Sequence, residues 1–525
     1  MQGSIPAWIK IIVLIGACLG LIAIIAIIMP RFFDTSLIST QESLQNFYKV
    51  SVDPGDLPVS REAPETISIA QMIELRELLE MQEFNALNEA LYEFQKLFEE
   101  NPLNEYKIYD AYRVFEILDL YFAELIGRWK EQTPDAYQPY LAAGVCYYAL
   151  GWKERGTKYI ADTTEEQIEG LRKYLSEAEK NVNVCMKMNP NLLPAHDLLI
   201  SIYNSHGPDR IEKELIQTAL ERFPQSYLIR NTACWALEPR WGGSYEQMEE
   251  IAKSAVPHYN SNPRLTALYG KIYLYQGDYM SRLKNFEEAI ELFNRAIEFG
   301  DDWNFYYRRA RTYHFTFKKY DRALDDINKS IAIRPTRSKN YIMRSKIYLA
   351  MENYDESLSD LAIGNQLTPE SDRVEDWAQR ASNELLRKGH LIFKTDLSAA
   401  IDFYNLSLQF YQSNDEVYYW RGVALHRLQN KEDAMLDFTQ CIEINPRHFE
   451  SYRMIDYLLA EKGQWDMIIA YWTVFLEHEP DEARAYLERA GAHKRKGDRE
   501  AAIADLMSSC DLGLEEACKI LDRIQ

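Results

Sequence analysis

One phrase returns through the second half of the chain at a fixed distance. "YDRALDDINKSIAIRP" is echoed by "YDESLSDLAIGNQLTP", "KEDAMLDFTQCIEINP" and "QWDMIIAYWTVFLEHEP". The small-residue slot that opens each phrase falls at Ala289, Ala323, Ser357, Ala400, Ala434, Ile468 and Ala502, with spacings of 34, 34, 43, 34, 34 and 34. A period in this range is the signature of stacked supersecondary units, each too small to bury its own apolar face and each propped by the next.

Offsets within each unit assign the elements. Four residues after the slot stands a bulky apolar residue: Phe293, Ile327, Leu361, Tyr404, Phe438, Trp472 and Leu506. Seven after it comes a mostly small one: Ala296, Ser330, Gly364, Ser407, Cys441, Phe475 and Ser509. Offsets of 4 and 7 share one helical face, so the phrase reads as the second helix of a pair, packed against a first. Pro335, Pro369, Pro446 and Pro480, twelve after their slots, stop that helix before the next unit. Residues from about Leu265 onward therefore resemble seven tetratricopeptide repeats, with nine extra residues in the fourth, an insertion around "YQGDYMSRLKN" in the first, and "GLEEACKILDRIQ" as a closing helix.

The same slots are fainter upstream, at Ala178, Val182, Cys185 and Pro190, at Glu212, Ile216, Ala219 and Pro224, and at Ala90, Phe94, Leu97 and Pro102. Between a helix through "QSYLIRNTACWAL" and another through "YEQMEEIAKSA" sits "EPRWGG". Pro239 ends the first helix, Gly242 and Gly243 allow positive φ, and Ser244 with Gln247 forms a capping box for the second. Trp241 folds back over the helix pair, and Arg240 is the one residue this corner leaves unexplained. Residues 69–263 also resemble a bacterial family known as domain of unknown function 4034. That resemblance rests on "LRELLEMQEFNALNEAL", "GWKERGTKYIADTT" and "PRWGGS". It implies a helical fold and no known activity, and its recurrent motifs fall on Trp152, Arg155, Gly156, Arg240, Trp241, Gly242 and Gly243.

The amino terminus reads differently. Ile11 to Met29 carries no charge, and nineteen residues at about 1.5 Å each approach one hydrocarbon thickness. The reading is a single-pass anchor in a bacterial inner membrane, with lipidation at Cys18 in "IGAC" as the alternative. The side holding the bulk is undecided between the two faces. Scattered thiols without a zinc-type spacing favour a reducing, cytoplasmic side. The expected plan is an anchor over 1–30, a polar linker over 31–68, an irregular helical domain over 69–263 and the repeats over 264–525, an all-α helix-pair solenoid.

Chemistry is sparse. The nine His residues form no HExxH pair, and neither a Walker loop nor a GxSxG elbow is present. No catalytic residue, cofactor or metal is expected. With 59 Lys and Arg against 80 Asp and Glu, the net charge of −21 disfavours a nucleic-acid partner. A solenoid does offer a groove lined by the first helix of each pair. There "YYRRARTYHF", "KNYIMRSKIYL" and "VYYWRGVALHR" mix aromatic and basic residues. Arg308, Arg311, Lys339, Lys346 and Arg427, with Tyr307 and Tyr419, are candidates to hold an acidic peptide or a terminal carboxylate. The competing reading pairs these cations with local acids. The carboxylate clamp that grips chaperone tails is not matched, because Met343 stands where its second Asn would fall. The function read from these residues is a membrane-tethered scaffold for partner proteins. The alternatives are a small-ligand or enzymatic site where Arg155 and Arg240 converge, and a structural subunit of an envelope complex.

Overall fold

A computed structural model describes residues 47–116, 119–156, 162–205, 213–369 and 371–524. The chain divides into two units, Met1–Leu57 and Pro58–Gln525. In the first, a short turn at Pro54–Asp56 is capped by Asp53, whose side chain accepts from the Gly55 amide at 2.9 Å. The predicted span Ile11–Met29 and Cys18 lie outside the described residues. Among the described residues no helix is long and apolar enough to cross a membrane. That finding overturns the expected localisation as a single-pass inner-membrane protein.

The second unit is helical, with no strand among its described residues. Its first part runs α1 Ile69–Glu80, α2 Phe84–Glu100, α3 Glu105–Arg113, α4 Leu120–Gln132, α5 Gln138–Arg155, α6 Glu165–Met188, α7 Leu193–Ser205, α8 Lys213–Arg222, α9 Tyr227–Ala236 and α10 Tyr245–Lys253. The repeats follow as pairs: α11 Ala267–Arg282 with α12 Phe286–Glu298, α13 Trp303–Thr312 with α14 Tyr320–Ile333, α15 Ser338–Ala350 with α16 Tyr354–Leu367, and α17 Asp372–Ile392 with α18 Leu397–Phe410. Then come α19 Asp415–Arg427 with α20 Lys431–Ile444, α21 Phe449–Ala460 with α22 Trp465–His478, α23 Ala483–Lys496 with α24 Arg499–Asp511, and the closing α25 Glu515–Ile524.

The slot residues sit where their chemistry requires. Ala289, Ala323, Ser357, Ala400, Ala434, Ile468 and Ala502 are all buried, as are the bulky residues four positions on. The nine extra residues of the fourth repeat lengthen α17, and the insertion in the first lengthens α11. Upstream the register holds for Ala178, Val182 and Cys185 but fails in α2. There Leu97 is exposed, and Phe84, Leu87, Leu91, Gln95 and Phe98 form the buried face. A slip of one residue turns a helix by about 100°, enough to exchange a buried position for a wet one.

A polar ladder threads the repeats at fixed positions. Arg309 grips Asp326 with both ends of its fork (2.8 and 2.6 Å), Arg344 grips Asp360 (2.7 and 2.8 Å), Arg421 grips Asp437 (2.9 and 2.6 Å) and Arg489 grips Asp505 (2.9 and 2.7 Å). The remaining Nη1 of each donates backward to the preceding repeat, at Asn294, Asn328, Asn405 and Thr473. One planar side chain thus joins the two helices of its own pair and the pair before it, in the bidentate geometry that suits guanidinium and carboxylate.

The N-terminal part braces the repeats along the loops that follow α12, α14 and α16. Arg61 donates to the Ile297 carbonyl and pairs with Asp301 at 2.6 Å. Buried Asp110 accepts from Arg334 and from the Thr336 hydroxyl at 2.8 Å. Arg76 donates to the carbonyls of Gln366 at 2.8 Å and Leu367 at 3.3 Å. At the far end, Cys510 and Cys518 form a disulfide joining α24 to α25, a bridge the scattered cysteines did not announce. Cys146, Cys185, Cys234 and Cys441 are buried thiols.

Candidate functional site

The first helices α13, α15 and α17 stand side by side, and α15 packs against α17. Each bears two cations on the same face: Arg308 and Arg311, Lys339 and Lys346, Arg373 and Arg380. The seven-residue spacing of Lys339 and Lys346, and of Arg373 and Arg380, returns each pair to within about 20° of one azimuth, and the three-residue spacing of Arg308 and Arg311 leaves them about 60° apart. Arg311 and Lys346 share a slot once one extra residue in α13 is counted. That residue is absorbed by a π turn at Tyr313–Phe317, a feature that recurs at functional sites.

Aromatic rings rather than carboxylates receive the two lysines among these cations. Lys339 Nζ lies 4.2 Å from the Trp303 ring centre and 4.9 Å from that of Tyr307. Lys346 lies 5.1 Å above Trp377, and the neighbouring Arg337 lies 5.4 Å above Trp303. Arg308 reaches Asp278 at 3.0 Å, and Arg380 reaches Asp376 at 2.9 Å. No carboxylate among the described residues lies within ion-pair distance of Lys339, Lys346, Arg311 or Arg373. Burial drives the Lys339 pKa well below its ordinary value, reinforced by Arg308, Arg337, Arg373 and Arg113. Burial also lowers Lys346, with Arg380 and Arg311 adding to the effect and Asp376 opposing it. His314, buried in the π turn, is held down to about 4 by burial and by Lys318 and Lys346. In a chain of net charge −21 this face is a local excess of positive charge.

The other candidates lie elsewhere. Tyr419 packs among Trp420, Phe438 and His448, with ring centres 5.4, 6.1 and 4.8 Å away. Arg427 sits 4.7 Å over Phe393. Met343 is buried against Ala323, Ile327 and Ile347, so it belongs to the core and not to the groove. Sequence reasoning missed Trp303, Arg337, Arg373, Trp377 and Arg380. The repeated seven-residue spacing of Lys339 and Lys346 in Arg373 and Arg380 was the available signal.

At the corner, Pro239–Trp241 forms a single tight turn and Gly242 takes φ 91°. Gly243 does not use the positive φ open to it. It is required by contact, since a Cβ there would lie 2.1 Å from the Leu237 carbonyl oxygen. Ser244 accepts from the Gln247 amide at 3.3 Å. Trp241 meets Trp235 edge-on at 6.1 Å. Arg240 pairs with Glu238 at 2.7 Å and covers Trp241 at 4.8 Å. Arg155 covers Trp152 at 5.4 Å and donates to the Gly156 carbonyl at 3.2 Å. The two arginines thus have different partners. Among the described residues no group of His, Cys, Asp and Glu is placed to hold a metal ion.

A family model described as tetratricopeptide repeat matches residues 415–448, the pair α19 and α20. The chain carries tetratricopeptide repeats. It is 34% identical over 90 residues to heat shock protein STI1 of Saccharomyces cerevisiae, covering 17% of this chain and 15% of that protein. It is 23% identical over 266 residues to a TPR repeat-containing protein of Methanocaldococcus jannaschii, covering 44% of each. The chain spans less than half the length of these curated relatives. Among solved structures, the MamA protein aligns with a TM-score of 0.24 at 17% identity, covering 35% of this chain and 94% of that one. The family match does not reach residues 69–263, so the resemblance to domain of unknown function 4034 gains nothing from it.

Proposed function

We propose that this tetratricopeptide chain is a protein-interaction scaffold whose groove holds an acidic segment of a partner across α13, α15 and α17. The observation that carries the reading is Lys339, half-buried on two aromatic rings with no carboxylate among the described residues within ion-pair distance. A desolvated cation left unpaired is unfavourable, and an incoming carboxylate relieves that penalty while the rings supply apolar contact. Repeat solenoids present extended concave surfaces suited to such segments. The ladder cations Arg309 and Arg344 are already satisfied by Asp326 and Asp360, which leaves the stripe as the available positive face.

The test is fluorescence anisotropy with a labelled twelve-residue peptide of alternating Glu and Leu. Arg308→Glu with Lys346→Glu is expected to weaken binding at least about tenfold, and raised salt to weaken the parent. Equal affinity for parent and double variant would remove the mechanism. The partner tail of chaperone-binding relatives is not carried over, because Met343 is core.

A further inference from the structure

A second feature stands apart from the groove. Between α8 and α10, floored by α9, lies an open cleft of about 480 Å³. Ile216, Leu220, Pro224, Leu237 and Ile251 form its apolar walls. Arg230 lines it from the floor and is only 2% exposed. Its Nη1 donates to the Ser226 carbonyl at 3.2 Å and its Nε to the Ser254 hydroxyl at 3.4 Å. No carboxylate among the described residues lies within ion-pair distance. The nearby buried acid, Glu105, accepts instead from the Ser226 hydroxyl and the Tyr227 and Leu228 amides. The contrast with the ladder is direct: Arg309, Arg344, Arg421 and Arg489 each hold an aspartate in both arms of the fork, and Arg230 holds none.

A cleft of this volume with apolar walls and one buried polar anchor fits a small ligand. The anchor decides the head group. Glu221, Glu250 and His258 also line the cleft, and both glutamates are exposed to water that screens them. Arg230 lies where the effective dielectric is low, so its field outweighs theirs at the floor. We propose that this cleft binds a small amphiphilic monocarboxylate of the fatty-acid class. The carboxylate lies on Arg230 and the chain runs along Leu220, Leu237 and Ile251. This site is independent of the acidic-segment groove.

The experiment titrates the full chain with decanoate by calorimetry, beside decanol, which keeps the tail and lacks the charge. One saturable decanoate per chain is expected, with decanol at least about tenfold weaker, in line with loss of a charge-assisted contact. Arg230→Gln should bring decanoate down to the decanol level. Leu220→Trp, which fills the cleft and leaves the anchor in place, should abolish binding of both, with circular dichroism confirming the fold. The proposal is overturned if decanol matches decanoate, if no saturable binding occurs below about 1 mM, or if Leu220→Trp binds like the parent. Displacement of decanoate by the acidic peptide would likewise overturn it, whereas failure of the peptide to bind bears only on the groove.

Discussion

Between Trp303 and Asp511 four buried aspartates sit on a fixed register, whereas from Ile69 to Pro263 each buried ion is met by its own one-off arrangement. In the repeats, an Arg on the first helix and an Asp three residues past the small slot recur at Asp326, Asp360, Asp437 and Asp505, and the bond closes within one pair. In the N-terminal part, Asp110 finds Arg334 across a sequence separation of 224, and Glu105 finds Ser226 across 121. A ladder of local bonds can fail one rung at a time. A single distant ion pair, once broken, leaves a buried charge with nowhere to go.

The strongest way to break this contrast is Asp110→Ala. It strands Arg334, 1% exposed, and removes the acceptor for Thr336. A loss of about 3–5 kcal/mol is expected in chemical denaturation, the range for breaking a buried pair from one side. Replacing both partners, as Asp110→Ala with Arg334→Met, should recover part of it. A loss no larger than that of a ladder variant would show that the brace is dispensable.

Next in size is a pH effect confined to the N-terminal part. Burial pushes the Asp197 carboxyl up to about 7, with the hydrogen bond from the Thr232 hydroxyl pulling the other way. Between the ordinary aspartate value and about 7, the folded state keeps a proton that the unfolded chain has released, so stability falls as pH rises through that window. Asp197→Asn lacks the titration. Its stability relative to the parent should improve by about 2 kcal/mol between pH 5 and pH 8. A difference that stays flat over that range would show that Asp197 is ionised at no penalty.

How much of this was legible follows the same divide. The slots Ala289 to Ala502 were readable because each repeats one local packing problem, and period and offset survive without any knowledge of partners. The ladder was readable in principle, from Arg344, Arg421 and Arg489 thirteen residues before their slots, but Arg309 falls fourteen before and blurs the pattern. The π turn that absorbs the extra residue is a backbone event with no side-chain signature. In α2 the frame slipped by one, because Leu87, Leu91, Phe94, Leu97 and Phe98 offer two apolar faces and only tertiary contact chooses between them. Asp110, Arg334 and Arg230 were invisible as a class, since nothing local marks a charge destined for burial. The candidate residues divided likewise by contact: Lys339 lies on Trp303 and Tyr307 and Lys346 on Trp377, whereas Arg427 lies on Phe393 and Tyr419 beside His448. The rings that receive the lysines come partly from the next helix.

A ladder variant should cost less than the brace. Arg344→Met leaves Asp360 with one side of its pocket open, and about 1–2 kcal/mol is expected. The same change at Arg421 should add to it almost independently, because the two rungs lie in different pairs and share no partner. Marked non-additivity would show that two rungs 77 residues apart, with the pair α17 and α18 between them, are more strongly coupled than a one-dimensional array allows.

The smallest expected effect has the opposite sign. Lys339 belongs to neither pattern: it has no rung and no brace, and burial together with four arginines lowers its pKa. A lysine whose folded-state pKa lies below the unfolded one gives up its proton more readily when folded, so its penalty is present at neutral pH and fades as pH rises toward the ordinary lysine value. Lys339→Met keeps the aliphatic stem on Trp303 and Tyr307 and removes the charge. Stability at pH 7 should be unchanged or higher by up to about 1 kcal/mol, while affinity for the acidic peptide falls. Strain retained at a position that could be relieved by one substitution is the pattern expected where binding, rather than folding, determines the residue. A clear loss of stability in Lys339→Met would instead make the lysine part of the frame and leave the stripe without its strongest member.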